Sequence, residues 1–174
     1  MAQARGLRGD AFESLINMTN DWYRLKGLAL IQKVPTPITP IEFDQTSRTI
    51  SLAYFERKST VDYIGVAQGI PLCFDAKETR RKSFPLANVH DHQMEFMSDF
   101  ESHGGVAFIL VNFTAFKKIF FTPLEHLRRF KAEAERGGRK SAPYEAFNQS
   151  LSVESRGYMI HYLEALNAFI SSKE

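Results

Sequence analysis

One cysteine, Cys73, is present in the 174 residues, which excludes an intrachain disulfide framework and any multi-cysteine zinc site. No apolar run approaches 18 residues, and the opening MAQARGLRGDAF lacks the apolar stretch of a signal peptide. A membrane span and secretion are therefore not expected, and a reducing cytoplasm is the simplest compartment. Excess charge is also missing: 22 Lys and Arg against 20 Asp and Glu leave a formal +2. That balance neither demands nor excludes a nucleic-acid partner, so the distribution of charge has to decide. Internal repeats and low-complexity tracts are absent, which removes solenoid and array architectures.

What is present is the composition of an ordinary globular protein, 44% hydrophobic and 24% charged. The length suits one domain, 1–174, and is short for two. Fifteen Phe predict a core built on large aromatic side chains. From Leu7 the residues Phe12, Leu15, Ile16, Met18, Trp22 and Leu25 fall near helical spacing, and Gly27 stops the run. KVPTPITPIEFD then carries Pro35, Pro37 and Pro40, and is expected to be extended and exposed, because proline donates no ladder hydrogen bond. Strands are expected over 49–56, 61–67, 70–78, 105–113 and 117–124, and helices over about 90–102, 123–135 and 158–170. ERGGRKSAP reads as a Gly-rich basic loop. The resulting order is α-β-β-β-α-β-β-α-α around a mixed sheet.

The segment 61–78 carries the chemistry. If Gln68-Gly69 is a two-residue turn, 67 pairs with 70 and Asp62 lies directly opposite Asp75, in the class of pair where side chains come closest. Alternation along the second arm puts Ile70, Leu72, Phe74 and Ala76 on one face and Cys73, Asp75 and Lys77 on the other. Asp62, Asp75 and Lys77 thus share a face. Two such carboxylates can converge on a hard divalent cation, with a backbone carbonyl and waters completing an oxygen shell. Lys77 can then orient a water or offset charge developing on a phosphate. Opposed like charges also predict that Asp75→Asn stabilises the metal-free protein. Alone, so short a pattern is better read as polar residues on the solvated face of a hairpin.

The pattern is not alone. STVDYIGVAQGIPLCFDAKET, FPLANVHDHQ, GGVAFILVNF and GGRKS, in this order and spacing and with KVPTPI upstream, resemble the RecU family of bacterial Holliday-junction resolvases. The resemblance runs from about Arg8 to Phe169. It implies an α/β, restriction-endonuclease-like (PD-(D/E)XK) mixed sheet flanked by helices, with a proline-rich stalk at about 33–48 inserted before the catalytic hairpin. By resemblance Asp62, Asp75 and the Ala76 carbonyl are metal ligands, for Mg²⁺ or Mn²⁺, and Lys77 is the catalytic lysine. Glu13 matches an acidic position that related nucleases turn toward the metal. Gln93 matches a glutamine that contacts water or phosphate beside it. The family more usually has Glu where this chain has Asp75, and some members carry a longer basic N-terminal extension. The resemblance further implies a homodimer acting on branched DNA, with contact to the RecA recombinase.

Two basic runs flank the site, KETRRK with Arg80, Arg81 and Lys82, and RRFKAEAERGGRK with Arg139 and Lys140. With Lys33, at the head of KVPTPI, these are the expected phosphate contacts, since neutralisation by Lys and Arg is the main source of nucleic-acid affinity. GGRKS lacks the spacing of a Walker A loop. His90 and His92 make a weak metal pair, because HxH on a helix start does not put both rings on one face; His90 is read as a cap. A reading of another class is a non-cleaving junction-binding or RecA-modulating protein that keeps the hairpin as a relic.

Overall fold

The computed structural model describes residues 10–55 and 60–173. Leu7 and Glu56, included in the expected first helix and first strand, lie outside them.

Phe12, Ile16, Thr19 and Tyr23 form the buried stripe of helix α1 (Asp10–Leu25), and Gly27 ends it at φ 66°. Met18 and Leu25, expected in that stripe, are exposed instead, and Trp22 is only half-buried. Strand β1 (Ala29–Lys33) follows directly, in a stretch the sequence had left unassigned. Next comes a two-stranded ribbon, β2 (Ile38–Asp44) with β3 (Thr49–Phe55). This corrects one expectation. The proline-rich segment is extended and exposed, as expected, and much of it forms a strand, whereas 49–55 belongs to the ribbon rather than to the central sheet. Pro40 is tolerated because the ladder shifts register between Pro40 and Glu42, the bulge that a proline in a strand requires.

Hairpin strands β4 (Tyr63–Ala67) and β5 (Ile70–Thr79) pair as expected, Ala67 with Ile70 through Tyr63 with Phe74. Gln68 and Gly69 both take positive φ, 49° and 87°, which makes the primed turn that matches strand twist. Short β6 (Ser83–Pro85) leads to α2 (Asp91–Ser102), which carries the chain over to β7 (Val106–Phe113), parallel to β5. β8 (Lys118–Pro123) and α3 (Leu124–Glu135) follow. The last three residues of the expected basic loop form β9 (Ser141–Pro143), antiparallel to β6. β10 (Ser152–Val153) then extends the sheet beside β8. The expected last helix starts four residues late. Gly157, at φ 65°, turns a small hairpin of β11 (Ser155–Arg156) and β12 (Met159–Ile160), and only then does α4 (Tyr162–Ser171) begin.

The central sheet has the order β1-β4-β5-β7-β8-β10 and is mixed, with β5 and β7 its parallel pair. Alternation along β5 divides the protein into two cores. Leu72 and Phe74 pack under α1 and α4, where Tyr63, Phe74, Phe108 and Phe121 stack in a row with centroids 4.2–4.8 Å apart. Cys73 packs on the other face under α2 and α3. Burial pushes its thiol up to about 12, so it stays protonated. Among the described residues no helix is long and apolar enough to cross a membrane.

Candidate active site

Asp75 sits in mid-strand with no exposed surface, at the point where the antiparallel hairpin meets the parallel partner β7. A carboxylate there must be fully hydrogen-bonded. It is: Oδ1 accepts the Asp62 N–H at 2.8 Å, and Oδ2 accepts the Gln93 side-chain amide and lies 3.0 Å from the Lys77 ammonium. Asp62 stands opposite, one residue beyond the last ladder pair, and its Oδ2 accepts the Ala76 N–H at 3.0 Å. The expected hairpin register and the shared face of Asp62, Asp75 and Lys77 are therefore both observed.

The two aspartates are not equivalent. Burial, and then the neighbouring Asp75 charge, raise the Asp62 pKa; the Ala76 N–H and the Lys77 charge oppose this in part. Asp75 instead has three donors on its two oxygens. Gln93 is oriented at both ends: Nε2 faces Asp75, and Oε1 accepts the His90 N–H at 3.1 Å, closing the first turn of α2. In this state its amide contacts the carboxylate rather than standing free for a phosphate. His90, extended at the helix cap, stacks on His92 with centroids 5.4 Å apart, although helical spacing would have separated them.

Glu13 faces Lys33 and is ion-paired with it, so the expected acidic group and one expected phosphate contact hold each other. Glu13 is still close enough for its charge to raise Asp62. Among the described residues no three His, Cys, Asp or Glu side chains converge to hold an ion by themselves. The local donor set is thus two carboxylates plus backbone oxygen, all hard ligands, with Asp62 carrying a charge that a cation would relieve. The cleft lined by Trp22, Ile70 and His161 lies on the opposite face of the sheet and takes none of these groups.

Arg80, Arg81 and Lys82 are exposed immediately after β5. Thr79 fixes their turn: its Oγ1 accepts the Arg81 N–H at 3.2 Å and donates to Ser83 O at 3.4 Å. The β6–β9 ladder then brings the second basic run alongside, because Tyr144 N–H donates to Lys82 O and Leu86 N–H donates to Lys140 O. Arg139 and Lys140 are exposed there. Two other cations of that run are spent on folding, since Arg128 binds Glu101 and Ser98, and Lys131 binds Asp91, tying α3 to α2. Lys117, exposed in the β7–β8 turn, and Lys118, exposed at the start of β8, join the same end of the sheet because Thr114 N–H donates to Thr79 O at 3.0 Å. Sequence reasoning missed them, though the interleaved aromatics and lysines of FTAFKK were a signal.

A mixed sheet between two helical layers, with a D…DxK hairpin at its centre, is the class of architecture expected of restriction-endonuclease-like nucleases. The comparisons are narrower. The family model described as Recombination protein U, RecU, matches residues 7–168, and the chain belongs to that family. It is 41% identical over 161 residues to the Holliday junction resolvase RecU of Pediococcus pentosaceus, covering 90% of this chain and 77% of that one. The corresponding protein of Geobacillus sp. is 41% identical over 142 residues, covering 79% and 71%. That of Limosilactobacillus reuteri is 36% identical over 178 residues, covering 95% and 84%. The likeness to the solved structure of Archaeoglobus fulgidus Hjc, a Holliday junction resolvase, is slight: TM-score 0.42 and 13% identity over 68% of this chain and 75% of that one.

Proposed function

We propose that this chain is a single-domain, divalent-metal-dependent endonuclease that resolves four-way DNA junctions by paired nicks. The observation that carries the reading is the hairpin itself, in which Asp62, Asp75, Lys77 and Gln93 meet on one sheet face beside two basic loops, in a chain of the RecU family. Asp62, Asp75 and the Ala76 carbonyl would hold Mg²⁺ or Mn²⁺, which when bound supplies Lewis acidity and a more acidic water. Glu13 joins that set only by leaving Lys33.

The chain's own groups do the rest. Gln93 and the Asp62 N–H lock the Asp75 carboxylate, so its position does not depend on a ligand. Lys77, with 19% of its side chain exposed, holds a positive charge at the rim of that carboxylate, where it can meet a phosphate oxygen as charge builds on it. Arg80, Arg81, Lys82, Arg139 and Lys140 neutralise the flanking phosphates and keep the strand in register.

A two-fold junction needs two related cuts, which a homodimer supplies. The β2–β3 ribbon supports that state, because Ile38, Ile41, Phe43, Leu52 and Tyr54 are exposed on it, more apolar surface than a lone ribbon tolerates in water. We place the stalk in this ribbon, within the opening of the junction. Contact with RecA follows from the resemblance alone, and a cytoplasmic location from the sequence reading.

The test is metal-dependent nicking of a synthetic four-way junction, with Mg²⁺ and Mn²⁺ in turn, by wild type and Asp62→Asn. Cutting by wild type only supports the reading. Binding without cutting under every metal supports the relic-hairpin alternative.

A further inference from the structure

Phe116 and Tyr144 come from distant parts of the sequence and form a near-parallel ring pair, with centroids 4.1 Å apart and planes at 24°. Phe116 lies in the β7–β8 turn, and Tyr144 directly follows β9. Both are half-buried, with Phe113 and Phe120 standing edge-on against the Tyr144 ring at 5.4 Å. The pair is therefore rigidly seated on the rim of the α2/α3-side core rather than free to turn.

Its surroundings are basic. Tyr144 N–H donates to Lys82 O at 3.0 Å, and Lys117 and Lys118 follow Phe116 in sequence, all three lysines exposed. Its location follows from register. Asp75, Lys77 and Thr79 alternate on one face of β5, and Thr79 is paired with Phe113, the residue against which both rings pack. Four residues of strand at about 3.3 Å each put Thr79 about 13 Å from Asp75, and the two rings lie one contact further out, 5.4–6.3 Å from the Phe113 ring. That is about four to six nucleotides of stacked strand.

Aromatic side chains framed by cations along a strand path are the elements that hold unpaired bases, because every base offers a π-face and every phosphate a charge. We propose that Phe116 and Tyr144, framed by Lys82, Lys117 and Lys118, form a stacking platform for an unpaired base on the strand running through the Asp62–Asp75 centre. This rests on the nuclease reading above. It assigns to the site a substrate feature beyond branching: a base released from its partner within about six nucleotides of the cut. The ribbon lies on a different part of the chain, so the platform would hold an unpaired strand that the ribbon does not need to reach.

The test is an abasic walk. Four-way junctions with one base removed, at each of six positions on either side of the cut, are titrated in EDTA with wild type and with Phe116→Leu, which stays apolar and loses the π-face. The intact junction is cleaved in parallel with Mn²⁺. One abasic position is expected to weaken wild-type binding by about fivefold or more, the low end for one stacked base. Phe116→Leu should bind the intact junction that much more weakly and lose nothing further at that position. Equal wild-type affinity for every abasic junction overturns the platform, even when the intact junction is cut normally. Abasic sensitivity without cutting supports the platform and removes the nuclease reading instead. Should circular dichroism show Phe116→Leu to be misfolded, the walk on wild type decides by itself.

Discussion

Asp62 and Asp75 clasp each other across the open end of the hairpin. The Asp62 N–H donates to Asp75 Oδ1, while the Asp62 carboxylate accepts from the N–H of Ala76, the residue after Asp75. The clasp holds two like charges close together, and the structure assigns their strain to Asp62. Asp75 has three donors; Asp62 has one backbone donor and a pKa raised by burial and by Asp75.

The pH dependence follows with a definite sign. A carboxyl whose folded pKa lies above its unfolded value favours the protonated form on folding. Its contribution is therefore fully present below the unfolded pKa, near 4, and is lost as pH rises through the folded value. In EDTA, Asp62→Asn should match wild type at low pH and become more stable than it across that window. Near neutrality the gain should be about 0.5–1 kcal/mol, the size of a cross-strand like-charge pair. Added Mn²⁺ should raise the melting temperature of wild type and not of the variant, since a ligand of the native state stabilises by mass action. Calorimetry at several pH values measures both. A constant offset between the proteins at all pH values would remove Asp62 as the strained group.

Asp75→Asn should behave in the opposite way, contrary to what like-charge opposition alone suggests. An amide there would set an NH₂ against the Gln93 amide and the Lys77 ammonium, leaving donors without an acceptor in a fully buried position. Unpaired buried groups cost about 1–3 kcal/mol. A lower melting temperature in EDTA is expected, where Asp62→Asn raises it.

Lys77→Ala should abolish metal-dependent cutting while junction binding changes by less than about tenfold, roughly 1.4 kcal/mol. For binding Lys77 is one cation beside Arg80, Arg81 and Lys82; for cutting it is the ammonium fixed at the Asp75 carboxylate. Single-turnover rates and gel-shift titration on one junction separate the two. Equal losses in both would make Lys77 a phosphate contact only.

The Asp62–Asp75 hairpin was legible because its register is a local matter. A two-residue turn and strict alternation fix which side chains share a face, and Ala67 does pair with Ile70. The helix over 91–102 and the buried run of β7 were equally local. What the sequence hid was pairing at a distance. Pro35, Pro37 and Pro40 argued for an extended, exposed segment, but nothing in them showed that a bulge lets Pro40 into a strand whose partner is 49–55. Ser141–Pro143 read as loop because its partner, Ser83–Pro85, lies nearly 60 residues away and each strand has only three residues. Glu13 and Lys33 have no sequence signal that they neutralise each other; helix α1 and strand β1 have to pack before they meet.

Removing the ribbon should leave the nuclease and take away the preference. β1 already reaches the Asp62–Asp75 hairpin without it, through the Lys33–Tyr63 pair and the Val34 N–H on Asp62 O at 2.8 Å. Replacing Ile38–Phe55 by a short Gly-Ser turn is therefore expected to keep native circular dichroism. Its preference for four-way junctions over linear duplex should fall close to parity in gel-shift competition. Unchanged preference would take the ribbon out of junction recognition.

The basic run 128–140 allows a test in which one half controls for the other. Arg128 and Lys131 face Glu101 and Asp91 on α2, whereas Arg139 and Lys140 are exposed beside β9 and have no part in that clamp. If phosphates are neutralised by exposed cations alone, Arg139→Ala with Lys140→Ala should weaken binding to every DNA form. The slope of log affinity against log salt should drop by about two contacts' worth. Stability should barely change, because surface substitutions away from packed features are usually within about 0.5 kcal/mol. Arg128→Ala with Lys131→Ala should do the reverse, leaving the salt slope intact. It should lower the melting temperature by the modest amount that two exposed ion pairs contribute, about 0.2–1 kcal/mol each. Salt-dependent titrations and thermal melts of the two double variants decide the matter. Equal slope losses in both would mean that Arg128 and Lys131 release their carboxylates for phosphate when DNA binds, and that α3 is part of the interface.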